Sequence, residues 1–264
     1  MKKIIDDNPN LYLDEIVLLL IVQTGKALHY STIHRYITHH FSYTLQSITA
    51  AAKQQCEENQ NAFLTALKML LQGDPDRLVM IDESHKDRNA SRRRRGWSLC
   101  NSGGVRVKEW YRNVVRYTLI AAADVNGFIP ASCQTVLREE NSETGASGTV
   151  DGEFFLDWIK TYLCPVLGRY QYGEPRSVVF MDNAVTHMSH EVESAINDTG
   201  AVLIYGAPYS PHLNPIENYF FIYKVYLKRN QERMNHHWNV VHMEGLQQVD
   251  HRKGIKYFKR CHII

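Results

Sequence analysis

Ser177-Val178-Val179-Phe180-Met181-Asp182-Asn183 is a short apolar run of the kind that suits a buried strand, and it stops on an acid. Helical periodicity follows over residues 189–197, a second apolar run over 201–205, and a helix that opens at Pro215 and runs to about residue 229. Toward the N-terminus, residues 78–81, 105–107, 117–125 and 128–136 are short β-rich runs, and Asn126-Gly127 between the last two is a hairpin signal. Residues 153–167 add a further helical stretch. An antiparallel meander followed by strand, helix, strand, helix predicts an α/β fold built on a mixed sheet with helices on both faces.

The first part of the chain has a different texture. Residues 12–23 form a periodic apolar helix, Thr24-Gly25-Lys26 is a stop signal, and Ser31-Thr32 is placed to cap a second helix over 33–40. That pattern looks like part of a helix-turn-helix. Its second helix carries His34, Arg35, Tyr36, His39 and His40, a face suited to phosphates or base edges and equally to solvent. Residues 44–71 read as one long helix, ended by Gly73-Asp74-Pro75 and taken as a linker between modules. The organisation expected is a partial helix-turn-helix at 1–43, a helical linker at 44–76, a catalytic domain at 77–230 and a peripheral helical tail at 231–264. Neither internal repeats nor low-complexity tracts interrupt it.

Composition sets bounds on partners. A net charge of +2 over 264 residues means that affinity for nucleic acid must come from local basic clusters. The five cysteines are widely spaced, without a Cys-x-x-Cys pair, and are expected as free thiols in a reducing compartment. The strongly apolar residues 16–22 fall well short of the roughly 20 that a membrane span needs, and Asp14 and Glu15 before them are wrong for a signal peptide. A soluble intracellular protein without a membrane partner is expected.

Three acids stand out by position. Asp82 ends Leu78-Val79-Met80-Ile81, Asp182 ends Val178-Val179-Phe180-Met181, and Glu217 opens the helix after Pro215. Strand ends and a helix start can bring such residues to one sheet edge, and clustered carboxylates are costly unless a cation neutralises them. Oxygen ligands at an open site suit Mg²⁺ or Mn²⁺. Each acid has a plainer reading as well. Asn214-Pro215-Ile216-Glu217 is a capping-box variant in which Glu217 folds back on backbone N–H groups. Asp182 followed by Asn183 suits a turn cap, and Glu83 and Asp124 are rivals of Asp82.

The longer motifs resemble those of a known family. Ile81-Asp82-Glu83-Ser84 with Arg92-Arg93-Arg94-Arg95-Gly96-Trp97, then Met181-Asp182-Asn183-Ala184-Val185-Thr186-His187, then Pro208-Tyr209-Ser210-Pro211-His212-Leu213-Asn214-Pro215-Ile216-Glu217-Asn218, are similar to the mariner-type DDE transposases of the ribonuclease H-like transposase and integrase superfamily. The 34 residues between Asp182 and Glu217 are a spacing that family uses. The resemblance implies a ribonuclease H-like fold with Asp82, Asp182 and Glu217 as catalytic residues and ligands of two Mg²⁺ or Mn²⁺ ions. It also implies cutting and joining of double-stranded DNA at transposon ends and target, by a homodimer that pairs two ends, in the nucleus of a eukaryotic host or the cytoplasm of a bacterial one, the nucleus being favoured. Two ions a few ångströms apart activate the attacking oxygen and stabilise the leaving one, which is why phosphoryl transfer needs such a triad.

Other residues are candidates for DNA contact. Arg92, Arg93, Arg94 and Arg95 would neutralise phosphates, or form a solvated loop or nuclear import signal. Trp97 suits a base stack or a core, His187 a scissile-phosphate contact or a structural role, and Lys224, seven residues after Glu217, a phosphate contact. His236, His237 and His242 are read as surface. Departures from the family pattern are the short region before the catalytic domain, where one helix-turn-helix module is missing, His212 at a place where an acid is common, and Asn218-Tyr219-Phe220 after the glutamate. They leave a truncated or domesticated, catalytically silent DNA-binding derivative as the alternative, with a ribonuclease H-type enzyme on RNA–DNA hybrids as a third reading.

Overall fold

The computed structural model describes residues 1–45, 55–86, 117–137, 150–184 and 188–264. The chain divides into two compact units, residues 1–53 and 54–264. In the first, α1 (Lys2–Asp7), α2 (Leu13–Thr24) and α3 (Tyr30–Arg35) enclose Ile4, Ile5, Ile16, Leu20 and Ile33. Glu15 accepts the Tyr12 backbone N–H at 2.7 Å to fix the start of α2, and Gly25, at φ 69°, ends it in the left-handed conformation as its stop signal predicts. The second helix differs from expectation. It begins at Tyr30 because the His29 ring accepts from the Ser31 backbone at 3.3 Å, so Ser31 lies inside the helix and His29 is its cap. Its last turn, Tyr36–His40, is π-helical.

The second unit is built on one mixed sheet. Strands β1 (Leu78–Lys86), β2 (Tyr117–Asp124), β3 (Gly127–Phe128), β4 (Gln134–Leu137), β5 (Val178–Met181) and β6 (Val202–Tyr205) take the order β3-β2-β1-β5-β6, with β4 also pairing β2. β1 pairs antiparallel with β2 and parallel with β5, and β5 pairs parallel with β6. Alternate residues of the central strands enter different cores. Leu78, Met80, Val178 and Phe180 belong to one, Val79, Ile81, Val179 and Met181 to the other. Burial on both faces is why these strands read as continuous apolar runs.

Helices α4 (Glu57–Leu71), α7 (Ile216–Arg229), α8 (Gln231–Leu246) and α9 (His251–Arg260) cover the first core, and α5 (Gly152–Trp158) with α6 (His190–Asn197) cover the second. A segment expected as a linker and one expected as a peripheral tail are both integral to the core here. α4 buries Phe63, Leu67 and Leu71 in the sheet core where a linker was expected, and the segment expected as a tail buries Leu246, Val249 and Phe258 there. Thr44 and Leu45 are not helical, which separates them from α4, and residues 46–54 lie outside the described residues.

Prolines divide other expected elements. Pro130 breaks the run 128–136 into β3, a 3-10 turn and β4, because it has no N–H for a ladder. The helix expected over 153–167 passes from α5 through a π-helical turn into a 3-10 turn containing Pro165. The hairpin at Asn126-Gly127 forms as expected, with Asp124 opposite Gly127. The run 105–107 lies outside the described residues, among which no helix is long and apolar enough to cross a membrane.

Candidate active site

Register brings two of the three acids to one level. Met80 of β1 is opposite Phe180 of β5 in the parallel ladder, and Asp82 and Asp182 each follow two residues later. Their settings differ. β1 runs on past the end of its apolar stretch because β2 continues to pair with it, so Asp82 sits inside a strand, opposite Ala121. That corrects the expectation that the strand ends there. β5 does end at Met181, and Asp182 is exposed at the start of the following loop, its Oδ1 accepting the Ala184 N–H at 3.1 Å.

The third acid arrives through the loop after β6. Gly206 donates its N–H to the Met181 carbonyl at 2.9 Å and accepts from the Asn183 side-chain amide at 2.8 Å, which ties the exits of β5 and β6 together. Any Cβ at Gly206 would lie 2.9 Å from the Phe180 ring. The loop is fastened to α4 by Gln60 Nε2 donating to Ser210 Oγ at 2.9 Å, and to the residues just before α4 by Gln55 Nε2 donating to the Tyr209 carbonyl at 2.8 Å. Tyr209 lies in the left-handed region at φ 55°. A 3-10 turn, Pro211–Leu213, then delivers Asn214 to the base of α7, whose first turn carries Glu217.

Asn214 is the residue whose second role, beyond capping α7, sequence reasoning missed. It is buried, its Nδ2 donates to Asp82 Oδ2 at 3.3 Å, and its Oδ1 accepts from the Ile216 N–H at 3.3 Å. The other oxygen of Asp82, Oδ1, accepts from the Glu83 N–H at 2.7 Å. The cap on α7 is therefore made by Asn214 itself, and that leaves the Glu217 carboxyl for other work. Only a polar residue two positions before a helix start hinted at this, and that signal is ordinary.

Electrostatics links the acids. Glu217 is exposed as a residue, yet the protein around its carboxyl removes enough water to raise its pKa, Lys224 opposes that rise, and the charge of Asp182 adds to it. Lys224 and Asp182 thus both act on Glu217. Asp124, a rival of Asp82 in the sequence, is committed elsewhere: it is buried, accepts from Arg176 Nε at 2.8 Å and turns the chain at Asn126.

The remaining candidates are dispersed. His34 and Arg35 are exposed on α3 in the first unit. Arg92, Arg93, Arg94, Arg95, Trp97 and His187 lie outside the described residues. His242, expected at the surface, is buried, and its Nδ1 bonds with the Tyr223 hydroxyl at 2.7 Å. Cys56, Cys133, Cys164 and Cys261 are free thiols. Among the described residues, no three His, Cys, Asp or Glu side chains are gathered closely enough to hold a metal ion as they stand. The donor set is nonetheless all oxygen, and the mutual repulsion of Asp182 and Glu217 is the condition that a hard cation relieves.

Comparison with known proteins fits this geometry. A family described as DDE superfamily endonuclease matches residues 77–236. No curated protein matches the chain. The solved mariner Mos1 paired-end complex with Mg is 14% identical with a TM-score of 0.61, over 98% of this chain and 75% of that one. A pre-cleavage Mos1 transpososome gives 13% identity and 0.60, over 98% and 76%. The Mos1 transposase catalytic domain with raltegravir and Mg gives 16% and 0.51, over 81% and 96%. At these identities the likeness is one of fold: the ribonuclease H-like mixed sheet flanked by helices, behind an N-terminal helical segment, is the architecture that the sequence predicts.

Proposed function

Because the chain belongs to the DDE superfamily endonucleases, we propose that it cleaves and joins DNA phosphodiester bonds at transposon ends in a metal-dependent reaction, with Asp82, Asp182 and Glu217 as the catalytic acids. The observation that supports this most directly is that Asp82 and Asp182 follow the same rung of the β1–β5 ladder, while Asn214 ties Asp82 to the start of the helix whose first turn carries Glu217. Asp82, Asp182 and Glu217 would hold Mg²⁺ or Mn²⁺, as two ions. When bound, the ions would activate water or a 3′-hydroxyl and stabilise the leaving oxygen.

The chain's own side chains have separate tasks. Asn214 holds the Asp82 carboxylate by one oxygen and leaves Oδ1 to the Glu83 N–H, so the acid keeps one orientation. Lys224 supplies positive charge on the helix of Glu217 and is suited to a substrate phosphate. Arg92, Arg93, Arg94, Arg95, Trp97 and His187 are proposed to line the same DNA path, and His34 and Arg35 to contact DNA from the first unit. Three of the solved Mos1 structures are paired-end complexes, one with the left transposon end, one with Mn and one with Mg. By analogy, two copies of this chain would pair two ends.

Nicking of supercoiled plasmid in Mg²⁺ or Mn²⁺, beside an Asp182→Asn variant and an EDTA control, tests the reading. Nicking lost in both controls supports it, whereas nicking unchanged in Asp182→Asn sinks it. Salt-dependent DNA binding without nicking in any divalent metal would favour the catalytically silent derivative.

A further inference from the structure

We propose that the outer face of α9 is a docking surface for the phosphate backbone of duplex DNA, next to the acids assigned to catalysis. It rests on the reading of the chain as a DNA-processing enzyme. Arg252, Lys256, Lys259 and Arg260 follow one another at intervals that place them on one side of a helix, and all four are exposed. No acidic residue lies within His251–Arg260. In a protein of net charge +2, this is a strong local concentration of one sign.

The opposite side of α9 is locked to the fold. Gly254 lies against β2's exit so closely that a Cβ would be 1.8 Å from the Val125 carbonyl oxygen, and Phe258 and Cys261 are buried. Both ends are tied. His251 Nδ1 bonds with Asn126 Oδ1 at 2.9 Å at the start, and at the finish Arg260 Nη1 donates to Asn218 Oδ1 at 3.4 Å. Asn218 is the residue after Glu217, so the cationic face ends where the proposed chemistry begins.

Folding alone does not account for those charges. Lys259 and Arg260 suit the negative end of the helix dipole, but Arg252 sits near the positive end, where cations are disfavoured. Asp250 caps that end through the Lys253 N–H at 2.9 Å and offsets part of the cost. Arg252 with Lys256, and Lys256 with Arg260, are like-charge pairs one turn apart, an unfavourable arrangement on a helix. A run of phosphates along roughly 15 Å of helix would neutralise them together.

The test is duplex DNA binding by the full chain, without divalent metal, over a series of salt concentrations. Wild type is compared with the triple variant Arg252→Ala, Lys256→Ala, Lys259→Ala and with the single Lys256→Gln, and thermal melting verifies that each is folded. The triple variant is expected to bind more weakly, with a log affinity versus log salt slope shallower by about 2–3, near 0.9 for each lost phosphate contact. The single variant should move about a third as far. Wild-type affinity and slope in the folded triple variant would overturn the α9 surface while leaving the endonuclease reading in place. Absence of salt-dependent DNA binding by wild type would overturn both.

Discussion

The Asn214 side chain joins Asp82 on the central strand to the start of the helix that carries Glu217, donating to Asp82 Oδ2 and accepting from the Ile216 N–H, both at 3.3 Å. One buried amide therefore sets the orientation of one acid and the position of another.

That double role separates two variants. Asn214→Ser keeps a side-chain oxygen able to cap α7 but is too short to reach Asp82, so nicking should fall about 10–100-fold with stability lowered by less than about 1 kcal/mol. Asn214→Ala loses both bonds and should lose a further 1 kcal/mol or so. Plasmid nicking and urea unfolding of both proteins check this, and a Ser variant with wild-type activity would refute it.

Glu217 gives the metal-free protein a pH signature. Its folded pKa is raised by desolvation and by Asp182, against the pull of Lys224. In the window just above the ordinary glutamate value the folded state binds the proton and the unfolded state has released it, so stability falls as pH rises through that window. Glu217→Gln should therefore melt higher than wild type at neutral pH in EDTA, and the difference should close on acidification. Divalent metal should raise the melting temperature of wild type more than that of the variant.

His242 works in the opposite sense. Burial lowers its pKa to about 4, so the unfolded state takes up a proton first as pH falls. Its contribution is present above about 6.5 and is lost progressively on acidification toward 4. Comparing the pH dependence of unfolding for wild type and His242→Gln should show a shallower acid loss in the variant.

α4 belongs to the sheet core, and Leu67 is its fully buried centre. Leu67→Ala should cost about 2–5 kcal/mol and, since Gln60 of the same helix holds Ser210, should also reduce nicking. A cost under about 1 kcal/mol by urea unfolding would contradict the packing described.

Gly254→Ala should be among the harshest single-methyl changes in the chain. Its Cβ has no room beside the Val125 carbonyl, so α9 must move, and a loss of about 1–3 kcal/mol is expected in thermal melts.

The order of strands and helices was legible in the sequence because each obeys a local rule. Val178 to Met181 is apolar on both sides because both sides are buried, Gly25 ends α2 because it alone takes a left-handed φ without cost, and Asn126-Gly127 turns a hairpin. Candidate acids were legible for the same reason, as charges placed where apolar runs stop. What neighbours distant in the chain contribute was not. The length of β1 depends on its ladder with β2, so Asp82 proved to lie within a strand, and the level it shares with Asp182 is a matter of β1–β5 register. Helix α4 became core rather than linker because Phe63, Leu67 and Leu71 find the sheet, and His242 became buried because Tyr223 receives its ring. Asn214 looked like one more helix cap. Its bond to Asp82 spans 132 positions, and only the folded chain brings that donor to that acceptor.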